Sequence, residues 1–507
     1  MTDATPLSPR GEGTSGDVEA LIAIDLGSST GRVHLGRVIG DRLETREVHR
    51  FSNGPTRIGE RWYWDILRIA DEAATGVRVA GAASRGLPAT IGVDSFGVDY
   101  CLLDAAGALL ALPRHMRDPR TRGLYEEIYR TISPSELYAR TGAMEIEINT
   151  LAQLVAERRE QPWLQQNAAS LLFVPDFITR MLSGRRVNEI TIASTSQFVD
   201  PTTRGWALDV AERVGVPSRL FNPLVEPGTA IGPVQPSLIE RLGLTAGSLM
   251  VASASHDTSS AIAAAPLADD AAFISLGTWS LLGRELPAPV LSAAALRDNF
   301  TNECGAGGRI VFHKILIGLW LLQECRRHWL IEWPQLDYGA IHAAAARQPP
   351  LQFVFDVADA RFTVPDDMRE AIASWFRERE RPAPHTHGEV ARAIYDSLAL
   401  SYRTAVDALD EVVGAPVRSV HIIGGGALAP VLCQATADAT GRPVLAGPVE
   451  AAVAGNMICQ LIARGRLAGV KDGRAMMRRS SDLVSYQPRD VASWDAAWRR
   501  LRYSSAP

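Results

Sequence analysis

Residues 25–32 read Asp-Leu-Gly-Ser-Ser-Thr-Gly-Arg and lie between two apolar, β-branched runs. These runs predict strands at 21–25 and 31–38, joined by a tight turn of small and hydroxylated residues. Such a turn exposes backbone N–H groups that can cradle phosphate oxygens, and Asp25 beside it can hold Mg²⁺ directly or through water. An ordinary Gly/Ser hairpin with an adjacent aspartate is the alternative interpretation, because short motifs often match by chance.

The second half of the chain begins with the same arrangement. Residues 272–275 predict a strand, Leu276-Gly277-Thr278 form a small turn, and 279–282 resume as a strand. We interpret this as a weak internal repeat, in which a turn carrying glycine and a hydroxyl joins two strands at the start of each half. A nucleotide clamped between two lobes needs donors from both, so the cleft between the halves is the expected ligand site.

The rest of the chain alternates short β-branched runs with Ala- and Leu-rich stretches, which is typical of an α/β protein. The two halves are expected to meet near 261–270, and residues 377–387 are expected to form an exposed loop. Further strands are predicted at 90–94, 100–103, 171–174, 250–252 and 419–423, and helices at 64–76, 149–159 and 175–182.

The composition indicates a soluble globular protein, since 46% of the 507 residues are hydrophobic and 21% are charged. The formal net charge is −5, and no basic run interleaved with aromatic residues occurs. Binding to phosphate backbones or to anionic membranes needs clustered Lys and Arg. We therefore expect neither a nucleic-acid nor a membrane partner.

The five cysteines are scattered and no pair has CxxC spacing, so neither a zinc site nor a disulfide framework is indicated. Residues 1–19 lack the basic and apolar segments of a secretory signal and are predicted to be a disordered tail. The most apolar stretch, residues 310–322, is too short to cross a bilayer. These features favour a cytoplasmic protein in a reducing compartment.

Residues 254–260 read Ala-Ser-His-Asp-Thr-Ser-Ser and precede an Ala-rich helical run. Ser255 or Asp257 could simply cap that helix. In the functional interpretation, Asp257 is a general base that accepts the proton of a sugar hydroxyl while its oxygen attacks the γ-phosphoryl group. His256 would then hydrogen-bond the sugar.

Two glycine-bearing turns have both a structural and a functional interpretation. The run 424–426 is Gly-Gly-Gly after a strand, which either allows backbone to pack against adenine or ribose or is a strand-to-helix turn needing positive φ. Gly97 lies between two aspartates, in a turn that either approaches a sugar closely or is an ordinary β-turn. The chain has neither a P-loop nor the protein-kinase signature set, so ATP binding would require another fold.

Taken together, these segments resemble the FGGY carbohydrate kinases over about residues 21–486. The resemblance implies an α/β protein with a duplicated actin-like (ribonuclease H-like) ATPase fold, two lobes around a central cleft. The most specific matches are residues 25–32 with 149–154 (NTLAQL), 255–258 (SHDT), 275–281 (SLGTWSL), 299–303 (NFTNE), 318–323 (GLWLLQ), 423–426 (IGGG) and 446–451 (AGPVEA).

The resemblance also implies an activity and a division of the chain. ATP and Mg²⁺ would phosphorylate a ketose, with L-rhamnulose as the expected acceptor and L-rhamnulose 1-phosphate and ADP as products, in a monomer or homodimer. A first lobe at 20–262 would hold the sugar and the first phosphate turn, and a second lobe at 263–486 would hold the nucleotide. Residues 1–19 would be a tail and 487–507 a C-terminal extension.

The roles of individual residues follow from the same resemblance. Asp257 is the implied catalytic base and Asp25 the implied Mg²⁺ anchor. The implied sugar contacts are Gly97, His256, Thr258 and the position of Ile315. The implied ATP contacts are Ser28, Ser29, Thr30, Gly31, Arg32, Thr278, Gln323, Gly425 and Gly426.

Two positions depart from the family pattern. Phe96 stands where relatives usually have Trp, and Ile315 stands where an Asn that helps to hold the sugar is expected. Losing a polar sugar contact can mark a different ketose, such as L-fuculose or a pentulose, because sites built to hydrogen-bond a hydroxyl discriminate strongly. A non-catalytic sugar-binding regulator is a further alternative, but retention of Asp25, Asp257 and both turns favours catalysis.

Overall fold

The computed structural model describes residues 19–504, so all but the last residue of the predicted tail at 1–19 lies outside the described residues. Within residues 19–504, no helix combines the length and the apolar character needed to span a lipid bilayer. All five cysteines are buried and unpaired.

The first lobe runs from the first strand to helix α10. Its strands are β1 Ala20–Leu26, β2 Thr30–Ile39, β3 Arg42–Ser52, β4 Pro55–Ile58, β5 Arg61–Trp64, β6 Ala89–Ser95, β7 Tyr100–Leu103, β8 Ser170–Phe173, β9 Asn188–Glu189, β10 Val199–Asp200, β11 Gly205–Trp206, β12 Leu224–Val225, β13 Ala230–Pro233 and β14 Leu249–Val251. Its helices are α1 Ile66–Ala83, α2 Tyr125–Ile128, α3 Pro134–Thr141, α4 Thr150–Glu160, α5 Pro162–Asn167, α6 Val174–Ser183, α7 Ile190–Ala193, α8 Leu208–Arg213, α9 Pro236–Ile239 and α10 Asp257–Ala264.

The second lobe follows. Its strands are β15 Ala271–Leu276, β16 Trp279–Leu286, β17 Thr301–Cys304, β18 Ile310–Ile317, β19 Ser419–Ile423, β20 Val444–Ala446 and β21 Val484–Tyr486. Its helices are α11 Ala293–Arg297, α12 Trp320–Glu332, α13 Tyr338–Ala346, α14 Met368–Arg377, α15 His387–Val413, α16 Pro430–Thr440, α17 Ala451–Ala463, α18 Val470–Ser480 and α19 Val491–Ser504.

Five strands are arranged in the same way in the two main sheets, which confirms the predicted repeat. The first has the order β13-β14-β6-β1-β2-β3 and the second β21-β20-β19-β15-β16-β18-β17. In each sheet the central strand pairs antiparallel with the next strand on one side and parallel with a later strand on the other. Each sheet therefore presents the carboxyl ends of its parallel strands, and the turn of its first hairpin, along one edge.

Helices α10 and α17 occupy equivalent places after β14 and β20, and they pack against each other between the two sheets. A Cβ on Gly455 of α17 would lie 1.8 Å from the backbone oxygen of Ser260 in α10, so only glycine permits this approach. Gln460 of α17 donates to the Ile22 carbonyl of β1 and accepts from Thr90 of β6. Helix α17, which belongs to the second lobe, is thus hydrogen-bonded to two strands of the first lobe's sheet.

Most predicted elements are confirmed within a few residues, but the first helix needs correction and several strands, β3 among them, were not predicted. The first helix is predicted at 64–76, but Trp64 ends strand β5 and the helix runs from Ile66 to Ala83, with Asp65 capping its start by accepting from the Arg68 amide at 3.1 Å. Strand β3 was not predicted, because it is mostly exposed and its polar sequence does not alternate clearly. The segment between Arg377 and His387 is a loop, as predicted.

Candidate active site

Asp25 lies at the carboxyl end of the central strand β1 and is almost completely buried. Its register partner on β2 is Arg32, whose guanidinium donates to the Asp25 carboxylate. Its register partner on β6 is Asp94. Burial raises the pKa of Asp25, and the neighbouring Arg32 charge opposes that rise. The sheet register therefore places one cation and a second carboxylate beside the predicted metal anchor.

Asp94 is a buried carboxylate with one free oxygen. Asn456 of helix α17 donates to its Oδ2 at 2.6 Å, whereas Oδ1 has no hydrogen-bond partner among the described residues. Burial and the charge of Asp25 raise the pKa of Asp94 well above its ordinary value. Such an oxygen suits a water molecule of a hydrated cation, because Mg²⁺ usually keeps several waters.

These residues fit Mg²⁺ brought by a nucleotide better than a permanently bound metal. Within residues 19–504, no three His, Cys, Asp or Glu side chains are grouped as a preformed metal site. Magnesium in phosphoryl-transfer sites is usually held by one or two carboxylates together with water and substrate phosphates. Asp25 and its register partner Asp94 provide such a partial set of carboxylate ligands.

Asp257 is the first residue of helix α10, and about a third of its side chain is exposed to the cleft. Thr258 Oγ1 donates to Asp257 Oδ1 at 3.2 Å. Burial raises the pKa of Asp257 and the charge of His256 lowers it. His256 pairs with Ser95 at the end of β6, so Asp257 lies at the same sheet edge as Asp94 and Asp25, and its charge adds to the rise in the pKa of both.

His256 is buried beside Asp257 and pairs with a carboxylate from the other lobe. Its Nδ1 lies 2.8 Å from Oε2 of Glu303 on β17, and its Nε2 lies 3.6 Å from Asp257 Oδ1. Burial opposes a charge on His256, but the carboxylates of Glu303, Asp257 and Glu189 together outweigh it and raise the pKa to about 9. Glu303 ends the family-like segment 299–303, yet nothing local in that segment identifies it as a site residue.

The loop that carries His256 is held by a buried glutamate that was not predicted from the sequence. Glu189 Oε2 accepts from the amides of Thr191 and Ser255, both at 3.0 Å. The His256 amide donates to Thr191 Oγ1 at 3.1 Å. Ser95, which ends β6, donates its amide to the Ser255 carbonyl at 2.8 Å. These bonds join the end of β6, helix α7 and the start of α10 into one frame around Asp257.

The first predicted phosphate turn, residues 27–30, leaves β1 directly after Asp25 and Leu26. The Gly27 amide donates to the Thr30 carbonyl at 3.0 Å, and Asn53 Nδ2 donates to the Gly27 carbonyl at 2.8 Å. Ser28 and Ser29 are exposed at the tip. The turn is therefore fixed at its base and open at the end where phosphate oxygens would bind.

The second turn brings two predicted nucleotide contacts together. Gly277 donates its amide to the Trp279 carbonyl at 2.9 Å, and Thr278 Oγ1 donates to Gln323 Oε1 of helix α12 at 3.1 Å. Gly426 is buried against the same turn, since a Cβ there would lie 2.1 Å from Leu276 Cγ. Gly425 lies open, because a Cβ there would have no neighbour within 4 Å. Thr278, Gln323 and the triple-glycine turn thus share one end of the second sheet.

The predicted sugar contacts lie on three elements: after β6, at the start of α10 and within β18. Gly97 follows β6, and a Cβ there would lie 3.1 Å from the Thr195 side chain. Phe96, which replaces the expected Trp, stacks on Trp64 with ring centroids 4.4 Å apart. Ile315 is half-buried on β18, two residues after His313 and therefore on the same face of the strand.

Arg32 also connects the lobes across the cleft. Its Nη1 donates at 2.6 Å to Glu450, which directly precedes helix α17, while its Nη2 donates to Asp25. One guanidinium thus bridges a carboxylate of each lobe. An arginine in this position can bind phosphate oxygens, because its planar fork of donors matches them.

The chain belongs to the FGGY family of carbohydrate kinases, because the family model for the N-terminal domain matches residues 20–264 and that for the C-terminal domain matches residues 272–464. It is therefore a phosphotransferase with an alcohol acceptor, and the predicted family and fold are confirmed.

Among curated proteins, the rhamnulokinase of Oceanobacillus iheyensis is 37% identical over 92% of this chain and 97% of the relative. The rhamnulokinase of Bacteroides thetaiotaomicron is 38% identical over 94% of this chain and 97% of that relative.

Solved structures of sugar kinases share the fold at low sequence identity. The ligand-bound xylulose kinase from Lactobacillus acidophilus superposes with a TM-score of 0.79 and 14% identity over 96% of this chain and 97% of that one. The glycerol kinase of Plasmodium falciparum with ADP gives a TM-score of 0.77 and 12% identity over 98% of this chain and 100% of that one. The two-lobed architecture is thus that of known sugar kinases.

Proposed function

We propose that this enzyme transfers the γ-phosphoryl group of ATP to the terminal hydroxyl of L-rhamnulose, giving L-rhamnulose 1-phosphate and ADP. Relatives named rhamnulokinase, 35–38% identical over more than nine-tenths of the chain, support this acceptor. The observation that carries the reaction type is the position of Asp257: its neighbour His256 pairs with Ser95 at the end of β6, so Asp257 lies at the sheet edge that carries Asp94, Asp25 and the first phosphate turn.

Asp257 is the general base of the proposed reaction. It accepts the proton of the sugar hydroxyl as that oxygen attacks the γ-phosphorus, and the bond from phosphorus to the bridging oxygen of ADP breaks. Thr258, His256 and Gly97 are proposed to position the sugar. His256 Nε2 is not within hydrogen-bond distance of Asp257, at 3.6 Å, so it remains available for a sugar oxygen.

The phosphates and the metal lie on the Asp25 side of the cleft in this proposal. Mg²⁺, when bound with ATP, neutralises charge that develops on the transferred phosphoryl group. Asp25 would hold the hydrated metal. Arg32 and the turn residues Ser28, Ser29, Thr30 and Gly31 would contact phosphate oxygens, with Ser28 and Ser29 exposed at the tip and Thr30 and Gly31 at the start of β2.

The nucleotide is proposed to lie on the second lobe. Thr278 and Gln323 already lie within hydrogen-bond distance of each other and offer a hydroxyl and an amide at one point. Gly425 has open space beside it, and Gly426 allows its loop to pack against the turn after β15. We further propose that the enzyme works in the cytoplasm, as a monomer or homodimer.

Substrate choice is tested by a coupled ADP-release assay with Mg²⁺, ATP and a panel of ketoses. We expect the highest kcat/KM with L-rhamnulose. A higher kcat/KM with L-fuculose or a pentulose would reassign the acceptor while leaving the kinase activity in place. Absence of ketose-dependent ADP release, together with sugar binding, would instead identify a non-catalytic regulator.

Ile315 gives a second test of the acceptor. It offers no polar atom to a sugar hydroxyl, and an unmet buried polar group costs about 1–3 kcal/mol, or about 5- to 150-fold in binding. With L-rhamnulose as the substrate, Ile315→Asn should leave the KM for this sugar unchanged or lower it. A rise in that KM would show that the pocket excludes a polar side chain at this position.

A further inference from the structure

Glu303 lies on β17, the edge strand of the second sheet that is tied to the first lobe. On either side of it, the Asn302 amide donates to the Gly142 carbonyl and the Cys304 amide to Ser194 Oγ, both at 2.9 Å. Glu303 itself is 5% exposed. Its carboxylate is therefore held at a defined point against the first lobe, where a buried charge requires a partner.

Two histidines lie next to this carboxylate, but only one is within hydrogen-bond distance of it. His313 donates from Nδ1 to the Val311 carbonyl at 3.2 Å, and its Nε2 is 3.6 Å from Glu303 Oε1, beyond hydrogen-bond distance. Burial lowers the pKa of His313, which favours the neutral ring. His256 Nδ1 is 2.8 Å from Glu303 Oε2, and its pKa is raised. The ion pair is therefore formed by Glu303 and His256.

The ion pair determines the orientation of the His256 ring. With Nδ1–H donated to Glu303, the Nε2–H points to the side of Asp257, and the cation counteracts the effect of burial on that base. Besides Glu303, the carboxylates of Asp257 and Glu189 act on His256, and the charge of each favours the imidazolium. His313, on the other side of Glu303, is disfavoured as a cation by its burial.

We propose that Glu303 is a positioning residue of phosphoryl transfer, which holds the His256 imidazolium in place and through it keeps Asp257 ionised and ready to accept the sugar proton. This proposal rests on the proposed role of Asp257 as the base. It also makes the sugar side of the site depend on both lobes, because His256 belongs to the first lobe and Glu303 to the second.

The test is the pH profile of kcat/KM for Glu303→Gln. An opposite charge nearby lowers the pKa of a carboxyl group by about 1–3 units, so loss of the imidazolium should raise the pKa of Asp257 by about one unit or more. A base must be deprotonated to act, so the acidic limb of the kcat/KM profile should move to higher pH in Glu303→Gln. Glu303→Asp should restore part of the wild-type profile.

A matched control comes from the same sheet. Glu285 on β16 also forms a carboxylate–cation pair, with Arg474 Nη1 and Nη2 both at 2.9 Å. Glu285→Gln should leave the acidic limb unchanged whatever it does to thermal stability. When His256 is already replaced by Asn, adding Glu303→Gln should not shift the acidic limb of the pH profile any further, because the imidazolium through which Glu303 acts is absent. A further movement there would overturn the proposal.

A second readout does not depend on turnover. NMR titration of the labelled histidines, with His256 assigned from the spectrum of His256→Asn, should show an imidazolium that persists to about pH 8 in the wild type. In Glu303→Gln it should titrate at least one unit lower. An unchanged His256 titration overturns the proposal even if kcat falls. If no ketose is phosphorylated while the NMR result holds, the proposed function fails and the ion pair stands.

Discussion

Asp257 lies next to a cation at the start of a helix, and both features favour its ionised form. The amino end of an α-helix carries partial positive charge from its free N–H groups, which stabilises a carboxylate there. The imidazolium of His256 adds a full charge. Burial acts in the opposite direction, so the ionisation of this base depends on its neighbours.

Replacing this base should remove catalysis without unfolding the protein. Asp257→Asn keeps the shape of the side chain but cannot accept a proton, and a positioned base contributes about 10²–10⁴-fold to the rate. We expect kcat to fall by about that factor, while the Kd for ATP, measured by calorimetry, and the melting temperature change little. A near-normal kcat would exclude Asp257 from the mechanism.

Asp25 should control the magnesium requirement. Asp25→Ala removes the carboxylate next to the first phosphate turn, so we expect a higher Mg²⁺ concentration at half-maximal activity and a sharp fall in kcat. Asp41→Ala is the control, because Asp41 lies in the exposed turn at the other end of β2 and pairs only with Arg479 at the surface among the described residues. An unchanged Mg²⁺ titration for Asp25→Ala would place the metal elsewhere.

Helices α10 and α17 link the chemistry to the packing of the two sheets. Helix α10 carries Asp257 at its first turn, and α17 follows Glu450 and supplies Asn456 to Asp94. The two helices approach closely at Gly455 and Ser260. A change at this crossing therefore alters the position of the catalytic base and the environment of the buried carboxylates together.

The crossing should be sensitive to a single methyl group. A Cβ at Gly455 would lie 1.8 Å from a backbone oxygen, which cannot move without shifting α10. We expect Gly455→Ala to lower the free energy of unfolding by about 1–3 kcal/mol and to reduce kcat. Gly469→Ala is the control, since nothing lies within 4 Å of the added Cβ. Denaturant unfolding of both variants measures the difference, and equal stabilities would contradict a tight crossing.

The two lobes enclose a cleft whose walls are already connected on one side. Arg32 joins Asp25 of the first lobe to Glu450 of the second, and β17 joins the second sheet to the first lobe near His256. A kinase must also exclude water from the transferred phosphoryl group, because otherwise ATP is hydrolysed. Ligand binding should therefore draw the free edges of the cleft together.

Closure is measurable by small-angle scattering. With ketose plus a non-hydrolysable ATP analogue, we expect a smaller radius of gyration than for the ligand-free protein, because both lobes then contact ligands. The sugar alone, which contacts fewer groups of the second lobe, is the comparison sample. An unchanged radius, with binding of both ligands confirmed independently, would count against a closing motion.

The sequence alone was sufficient to predict those features that depend on residues close together in the chain. A β-branched run followed by Gly-Ser-Ser-Thr identifies a strand and its turn, because turns follow from local side chains. The Ala-rich run after residue 258 identifies helix α10, although neither Ser255 nor Asp257 caps it: the N-cap is His256 and makes no side-chain cap hydrogen bond. The same signals twice in one chain predicted the duplicated fold. Strand β3 was missed because an exposed strand need not show an apolar alternation.

The partners of the site residues depend on packing between distant parts of the chain. Glu303 is 47 residues from His256, Asn456 is 362 residues from Asp94, and Glu450 is 418 residues from Arg32. No local pattern relates such pairs, since their contact follows from how the two sheets and the helices between them pack. The sequence thus identifies the groups that bind and react, and the packing of the lobes sets which of them are charged and where they point.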